Sequence, residues 1–359
     1  MRILVLANND VGLYKFRREL LVELMKKGHE IVISLPYGEM VDDLINDGCE
    51  FADTLVDRRG LNPIKDIKLF FSYLKLIKKT NPGLVITYTI KPNVYGGIAS
   101  RLLKKNYVLN ITGLGTAFEN EGALRKFVVS LYKIACKKAK NVFFENEENK
   151  NVFVDERIVI DSQACTLKGA GVNLEEYQLS EYPKGDKIRF LFIGRVMAEK
   201  GINELFEAMK RLIREGIVCE LDVLGGYEED YESAIEEYEK EGWLHYYGYQ
   251  KDVRPFINRC HCFVLPSWHE GMANTNLECA ASGRPLIVSN IPGCAEAIID
   301  GISGFLVNKQ DANDLYNKMK AFIELTFEER RLMGISGRKQ MEKLFDRKNV
   351  VRKTINLIL

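Results

Sequence analysis

The sequence predicts an α/β protein of two halves, each a parallel sheet layered between helices. Two observations carry this expectation. Short apolar runs alternate with amphipathic helical stretches along the 359 residues, and such alternation argues for parallel strands with helices on both faces. The pattern also pauses at a polar connection around 180–187 and then restarts. A chain of this length exceeds the usual reach of one hydrophobic core, so two domains are expected.

In the first half, strands are expected near Ile3–Ala7, Glu30–Leu35, Glu50–Leu55, Leu84–Tyr88, Tyr107–Ile111 and Asn141–Glu145, with helices such as Tyr14–Lys27 and Ile64–Lys79 between them. In the second half they are expected near Arg189–Ile193, Glu220–Leu224, His245–Tyr247, Cys262–Leu265, Leu286–Ser289 and Gly304–Val307. The expected domains are therefore 1–180 and 181–340, each Rossmann-like, followed by a helical tail over 341–359. Two such halves would face each other across a central cleft.

The segment from Phe263 to Glu296 carries the strongest chemical signal. Its apolar run is a buried strand, Pro266–Gly271 its exit loop, and Asn274–Ser282 a helix closed by Gly283 and Pro285. Glu270 then lies on the loop and Glu278 about a turn inside the helix. In open α/β sheets ligands bind beyond the carboxyl ends of the strands, where the next helix offers unpaired N–H groups and a favourable dipole. A phosphate fits near Gly271, Met272, Ala273, Asn274 and Thr275, with a carboxylate on each side to accept hydroxyl hydrogen bonds. This layout suits a sugar nucleotide. By itself the pair of glutamates carries little weight, because this spacing arises often by chance.

A second strand end adds to it. Ile188–Ile193 leads into Gly194 and Arg195, then Glu199, Lys200 and Gly201, and an amphipathic helix from about Ile202 to Glu215. Arginine binds phosphate oxygens as a fork and lysine as a point charge, so Arg195 and Lys200 can neutralise a diphosphate without a metal. Either alone reads equally as a solvated loop cation. Together with Glu270 and Glu278 at strand ends of one sheet, they read as a site.

The first half is quieter. Gly12 follows the first strand and opens a helix, so the backbone there can approach a ligand or simply turn. Thr112, Gly113, Leu114, Gly115 and Thr116 end another strand and invite close backbone approach, or form a structural turn. Lys91, at the end of the strand before, can attract a phosphate or stay solvated.

Composition sets bounds. Charged residues at 28% and hydrophobic ones at 46% describe an ordinary soluble globular protein, and a net charge of +1 gives no reason to expect nucleic acid. Eight cysteines are scattered through apolar patterns, which predicts reduced, mostly buried thiols and a cytoplasmic location. Cys260, His261 and Cys262 lack a second cluster to complete four zinc ligands. No complete G-x-G-x-x-G follows the first strand, which argues against a dinucleotide cofactor. No signal peptide is expected, since Met1-Arg2 leads directly into a strand, and no apolar run approaches the roughly 18–20 residues that span a bilayer.

With these motifs in view, the chain resembles the family 4 retaining glycosyltransferases of the GT-B fold. The resemblance rests on Gly194-Arg195 with Glu199-Lys200-Gly201, on Glu270 and Glu278 separated by seven residues, on Ala281-Ser282-Gly283-Arg284-Pro285, and on Gly293 to Glu296. It implies that Arg195 and Lys200 hold a donor diphosphate, that Glu270 lies near the sugar ring, and that Glu278 binds the ribose. It further implies a donor on the second half, an acceptor on the first, and a tail that crosses back to the first half.

The strings TIKPNVYGG and TGLGTAFENEG look like bacterial enzymes that extend polyprenyl-diphosphate-linked sugars, including one that adds N-acetylgalactosamine. That likeness implies a UDP-sugar donor, a lipid-diphosphate-linked saccharide acceptor and a peripheral position at the inner face of the plasma membrane. Arg17, Arg18, Lys75, Lys78, Lys79, Lys104 and Lys105 would then favour anionic headgroups. Many relatives place a histidine where this chain has Thr112-Gly113, so no side-chain base is identified. The resemblance implies that the leaving phosphate takes the acceptor's proton. The absence of any Asp-x-Asp triplet implies no metal, and no cofactor is expected. Two rival readings use the same pocket: a nucleotide-sugar epimerase and a non-catalytic sugar-nucleotide-binding protein.

Overall fold

The computed structural model describes residues 1–57, 62–115, 118, 122–185 and 187–359. The chain divides into two compact units, Met1–Ala170 with Lys348–Leu359, and Gly171–Arg347. This division falls before the expected break at 180, because Val172 pairs with Asp346 and joins the core of the second unit.

In the first unit, strands β1 (Arg2–Leu6), β2 (Glu30–Leu35), β3 (Glu50–Asp53), β4 (Leu84–Tyr88), β5 (Asn106–Ile111), β6 (Asn141–Phe144) and β7 (Ala164–Thr166) form one sheet in the order β3-β2-β1-β4-β5-β6-β7. Every pairing is parallel. Buried on both faces, the central strands read as unbroken apolar runs such as Ile3–Leu6. Helices α1 (Asp10–Lys26), α2 (Val41–Asn46), α3 (Pro63–Thr80), α4 (Gly97–Leu102), α5 (Ala123–Cys136) and α6 (Glu147–Asp155) connect them. Leu69, Tyr73 and Ile77 of α3 share a core with Ala99 of α4 and Val129 and Tyr132 of α5. Leu13, Leu20 and Leu24 of α1 pack into a separate core.

The second unit repeats the plan with β8 (Ile188–Ile193), β9 (Cys219–Leu224), β10 (Leu244–Tyr246), β11 (Cys262–Leu265), β12 (Leu286–Ser289) and β13 (Gly304–Val307), ordered β10-β9-β8-β11-β12-β13 and all parallel. Its helices are α7 (Ile202–Arg214), α8 (Glu232–Lys240), α9 (Arg254–Arg259), α10 (Asn274–Ala281), α11 (Ala312–Glu324) and α12 (Phe327–Gln340). α7 turns Leu205, Phe206, Met209 and Leu212 inward at the spacing of one helical face. The last helix, α13 (Arg347–Ile358), returns to the first unit, where Val351, Ile355 and Ile358 enter the core that holds α1. Asn141 Nδ2 donates to the Leu357 carbonyl at 2.9 Å, fixing that end.

Both sheets reverse their strand order at an internal pair, β1/β4 in the first unit and β8/β11 in the second. The crevice beyond the carboxyl ends of such a pair is where open α/β sheets bind ligands.

Candidate active site

In the second unit, the residues singled out by sequence converge on the β8/β11 crevice. Gly194 and Arg195 leave β8, and the Gly194 amide donates to the Leu224 carbonyl at 2.9 Å. The Arg195 side chain is half exposed, with Nη1 3.5 Å from Glu228 Oε2. Lys200 ends a 3-10 turn before α7, and its ammonium forms an ion pair with Glu270, which comes from the loop after β11. Only 18% of the lysine side chain and 13% of the glutamate side chain are exposed, so the pair is largely desolvated. Ser267 Oγ donates to the same Glu270 oxygen at 2.8 Å.

Two glycines let these loops meet. Gly201 has φ +74°, and a Cβ there would overlap the Pro266 carbonyl. Gly293 has φ +84°, and its Cβ would lie 2.6 Å from the Gly271 oxygen and 2.8 Å from the Glu270 oxygen. Both sites demand a left-handed backbone as well as the space a side chain would fill. The Gly293 amide donates to Glu296 Oε2 at 2.7 Å, and the Ala273 amide to the Gly293 carbonyl at 2.8 Å. Together these contacts pin the stretch from Gly271 to Ala273 at the entrance of α10.

Met272 and Ala273 are buried in the core of this unit, which leaves their backbone as what they can offer a ligand. Asn274 and Thr275 open α10, whose N-cap residue Ala273 supplies no side-chain acceptor to the first turn. Glu278 sits in the next turn and is 7% exposed. Burial first and the Glu278 charge second push the Tyr177 hydroxyl above its ordinary range.

Ser267 and Trp268 carry no signal in the sequence, and His269 adjoins Glu270 there without a role that sequence can assign. Trp268 Nε1 donates to Glu204 Oε1 at 3.1 Å, and His269 Nε2 lies 3.3 Å from Glu199 Oε2, so the two residues before Glu270 are tied to the loop and helix that follow β8.

In the first unit, Lys91, Thr112, Gly113 and Gly115 line one cavity of about 240 Å3, together with Asn8, Val56, Thr89 and Ile90. All but Val56, which follows β3, come from the ends of β1, β4 and β5, so the cavity lies at the reversal point of this sheet. Lys91 Nζ is 2.7 Å from Asp66 Oδ1, and the Tyr95 hydroxyl donates to Asp66 Oδ2 at 3.0 Å, so this lysine arrives already paired. Thr89 has φ +71°, a costly backbone for a β-branched residue, and its Oγ1 is buried with no hydrogen-bond partner among the described residues. Thr116 lies outside the described residues.

Two first-unit expectations fall on groups that have partners within the unit. Gly12 is the third residue of α1, and its amide donates to the Asn9 cap at 2.6 Å, so that N–H serves the helix. Arg17 and Arg18 are each held by a carboxylate. Arg17 Nη2 binds Glu145 Oε1 at 2.6 Å with the guanidinium 5.0 Å from the Tyr88 ring, and Arg18 forks onto Asp47 at 2.5 and 2.7 Å.

Comparison with known proteins agrees with this geometry. A model of glycosyl transferase 4-like domains matches residues 2–146, and one of glycosyl transferases group 1 matches residues 175–340. The chain is 28% identical over 342 residues to the N,N'-diacetylbacillosaminyl-diphospho-undecaprenol alpha-1,3-N-acetylgalactosaminyltransferase of Campylobacter jejuni, covering 90% of each. It is 27% identical to the UDP-Gal:alpha-D-GlcNAc-diphosphoundecaprenol alpha-1,3-galactosyltransferase of Escherichia coli, covering 89% of this chain and 84% of that one. Among solved structures, Anabaena HepE in complex with UDP and glucose superimposes with a TM-score of 0.81 at 15% identity, over 99% of this chain and 98% of that one. On its two domain matches and its pair of parallel-sheet units, the chain belongs to the family 4 glycosyltransferases of the GT-B fold.

Proposed function

We propose that this glycosyltransferase moves a hexose or N-acetylhexosamine, N-acetylgalactosamine first among them, from a UDP-sugar to a lipid-diphosphate-linked saccharide during assembly of a bacterial surface glycan. The anomeric configuration is retained and no metal takes part. The observation that carries the reading is the convergence of Arg195, Lys200 and Glu270 from the two strands flanking the β8/β11 crevice, with the buried Glu278 in the helix after it. The two undecaprenol-linked transferases named above support the acceptor class, and the UDP complex of the structural neighbour supports the donor class.

In this reading the donor lies on the second unit. Lys200 carries three N–H donors; one holds Glu270, and the others face the diphosphate with Arg195 and the uncapped first turn of α10. These groups stabilise the charge that grows as the bond from C1 to the diphosphate breaks, before any rearrangement is needed. Glu270 accepts hydrogen bonds from the sugar hydroxyls, and Glu278 from the ribose. The acceptor oxygen attacks C1 on the face the diphosphate leaves, and its proton passes to the departing phosphate oxygen, releasing UDP. The acceptor occupies the first-unit cavity bounded by Thr89, Lys91, Thr112, Gly113 and Gly115.

The test is release of UDP or GDP from a panel of nucleotide sugars in EDTA, with and without an undecaprenyl-diphosphate-linked saccharide. UDP released only with acceptor, and an α-linked product from an α-linked donor, is the expected result. Isomerised donor without acceptor would reveal an epimerase, and tight UDP binding without turnover on any acceptor would reveal a binding protein.

A further inference from the structure

Two successive asparagines, Asn8 and Asn9, link β1 to α1, and the first of them lines the first-unit cavity. Backbone chemistry fixes which way round each amide lies. The Gly12 N–H can only donate, so the Asn9 atom it meets at 2.6 Å is the oxygen Oδ1. The other end of the Asn9 amide is then the donor Nδ2, and the Asn8 atom 2.7 Å from it must be the acceptor Oδ1. Asn8 keeps Nδ2, with two N–H donors and no partner among the described residues. Gly12 permits this arrangement, because a Cβ there would lie 2.9 Å from Asn9 Oδ1.

The rest of the lining has the same polarity. Thr89, Lys91 and Thr112 are its other polar side chains, and no carboxylate stands among the described residues that line it. Thr89 Oγ1 is buried without a partner among the described residues. Walls that offer an amide NH2, an ammonium and hydroxyls match a group that accepts hydrogen bonds without donating them, because a donor facing a donor stays unsatisfied. Carbonyl and phosphate oxygens are such groups.

We propose that Asn8 is a specificity-determining residue whose Nδ2 donates to a carbonyl or phosphate oxygen of the acceptor, and that Asn9 is the positioning residue that sets its polarity. The inference rests on the reading above that this cavity takes the lipid-linked acceptor. Asn9 thereby has two duties, to cap α1 through Oδ1 and to hold Asn8 through Nδ2. Asn9→Asp separates them. An aspartate still accepts from Gly12 and caps about as well as asparagine, but it has no N–H for Asn8. The Asn8 amide then turns to donate to Asp, and its oxygen takes the place of Nδ2 at the cavity.

The experiment measures KM for acceptor and for UDP-sugar, with thermal melts, in the full chain and in Asn8→Asp, Asn8→Ala, Asn9→Asp and Asn9→Ser. The acceptors are undecaprenyl-diphosphate-linked N-acetylglucosamine and its glucose counterpart. Asn8→Asp and Asn9→Asp are expected to melt as the parent does and to raise the acceptor KM at least about tenfold, as two acceptors then face each other, with the donor KM unchanged. Asn9→Ser keeps a cap without adding charge but lacks the amide donor, and should fall between parent and Asn9→Asp. Asn8→Ala deletes the amide without adding charge: a loss confined to the N-acetylated acceptor identifies the carbonyl, and an equal loss on both identifies the phosphate. Should Asn9→Asp melt below the parent, Asn9→Ser and Asn8→Ala decide. An acceptor KM equal to the parent's in folded Asn8→Asp and Asn9→Asp overturns the proposal and leaves Asn9 as a cap alone, and so does an equal rise in both KM values. A parent chain whose UDP release ignores every acceptor would fail the functional reading and this inference with it, whereas variants that match an acceptor-dependent parent fail this inference only.

Discussion

Lys200 and Glu270 form a largely buried ion pair although they leave different strands, one from the turn after β8 and the other from the loop after β11. Removing one member leaves the other charge buried, which costs more than the pair itself contributes. Lys200→Met and Glu270→Gln should therefore each destabilise the second unit, with a coupling of roughly 0.5–3 kcal/mol in a double-mutant cycle. Each should also lower kcat/KM at least about tenfold, the equivalent of about 1.4 kcal/mol of transition-state stabilisation. Denaturant melts of the four chains and initial rates check both; additive melts would show that the pair is not coupled.

Arg195 separates activity from stability more cleanly. Its side chain is half exposed with a single long polar contact, to Glu228, among the described residues, and such surface positions usually shift stability by less than about 0.5 kcal/mol. Arg195→Ala should melt as the parent does and still lose at least about tenfold in turnover. Arg195→Lys should recover only part, since a point charge does not replace a fork. Parental rates in Arg195→Ala would remove it from the donor site.

Much of this architecture is legible in the sequence because parallel strands buried on both faces read as apolar runs. Cys262–Leu265, Leu286–Ser289 and Gly304–Val307 are found at their expected bounds. β7 escapes because it is a three-residue edge strand, Ala164–Thr166, only partly buried. α1 starts ahead of the expected Tyr14 because Asn9, its cap, sits among other polar residues and looks like loop. In the site, charged residues at strand ends could be picked out. The influence of the Glu278 charge on Tyr177 and the left-handed backbone of Thr89 could not, since the first depends on a distant chain segment and the second on the tertiary context.

His261 makes stability depend on pH. It is 6% exposed, and its Nδ1 accepts the Arg189 amide at 3.1 Å. Burial, followed by the charges of Arg330, Arg284 and Arg189, lowers it from 6.5 to about 4. A depressed histidine is neutral in the folded state but takes up a proton on unfolding below 6.5. Its contribution is therefore complete above pH 6.5 and is lost as pH falls towards 4, amounting to roughly 1–3 kcal/mol. His261→Asn, which keeps an acceptor for Arg189, should flatten that part of the stability profile. Denaturation midpoints at pH 7 and pH 5 measure it, and equal slopes for parent and variant would contradict the assignment.

Thr89 offers the sharpest contrast between folding and function. Its φ of +71° is strained for a β-branched residue, at a cost on the order of 1–3 kcal/mol. Thr89→Gly removes that strain but adds about 0.5–1 kcal/mol of backbone entropy to the unfolded chain, so the variant should be as stable as the parent or slightly more so. The hydroxyl it deletes is buried at the wall of the first-unit cavity, without a partner among the described residues. If a bound saccharide supplies the missing partner, Thr89→Gly should raise the KM for acceptor several-fold while leaving the KM for the UDP-sugar unchanged. Thr89→Asn, which tolerates the left-handed region and retains a polar side chain, should recover part of the affinity. A variant that is less stable, or that loses donor and acceptor affinity alike, would assign Thr89 to holding the loop rather than meeting the acceptor.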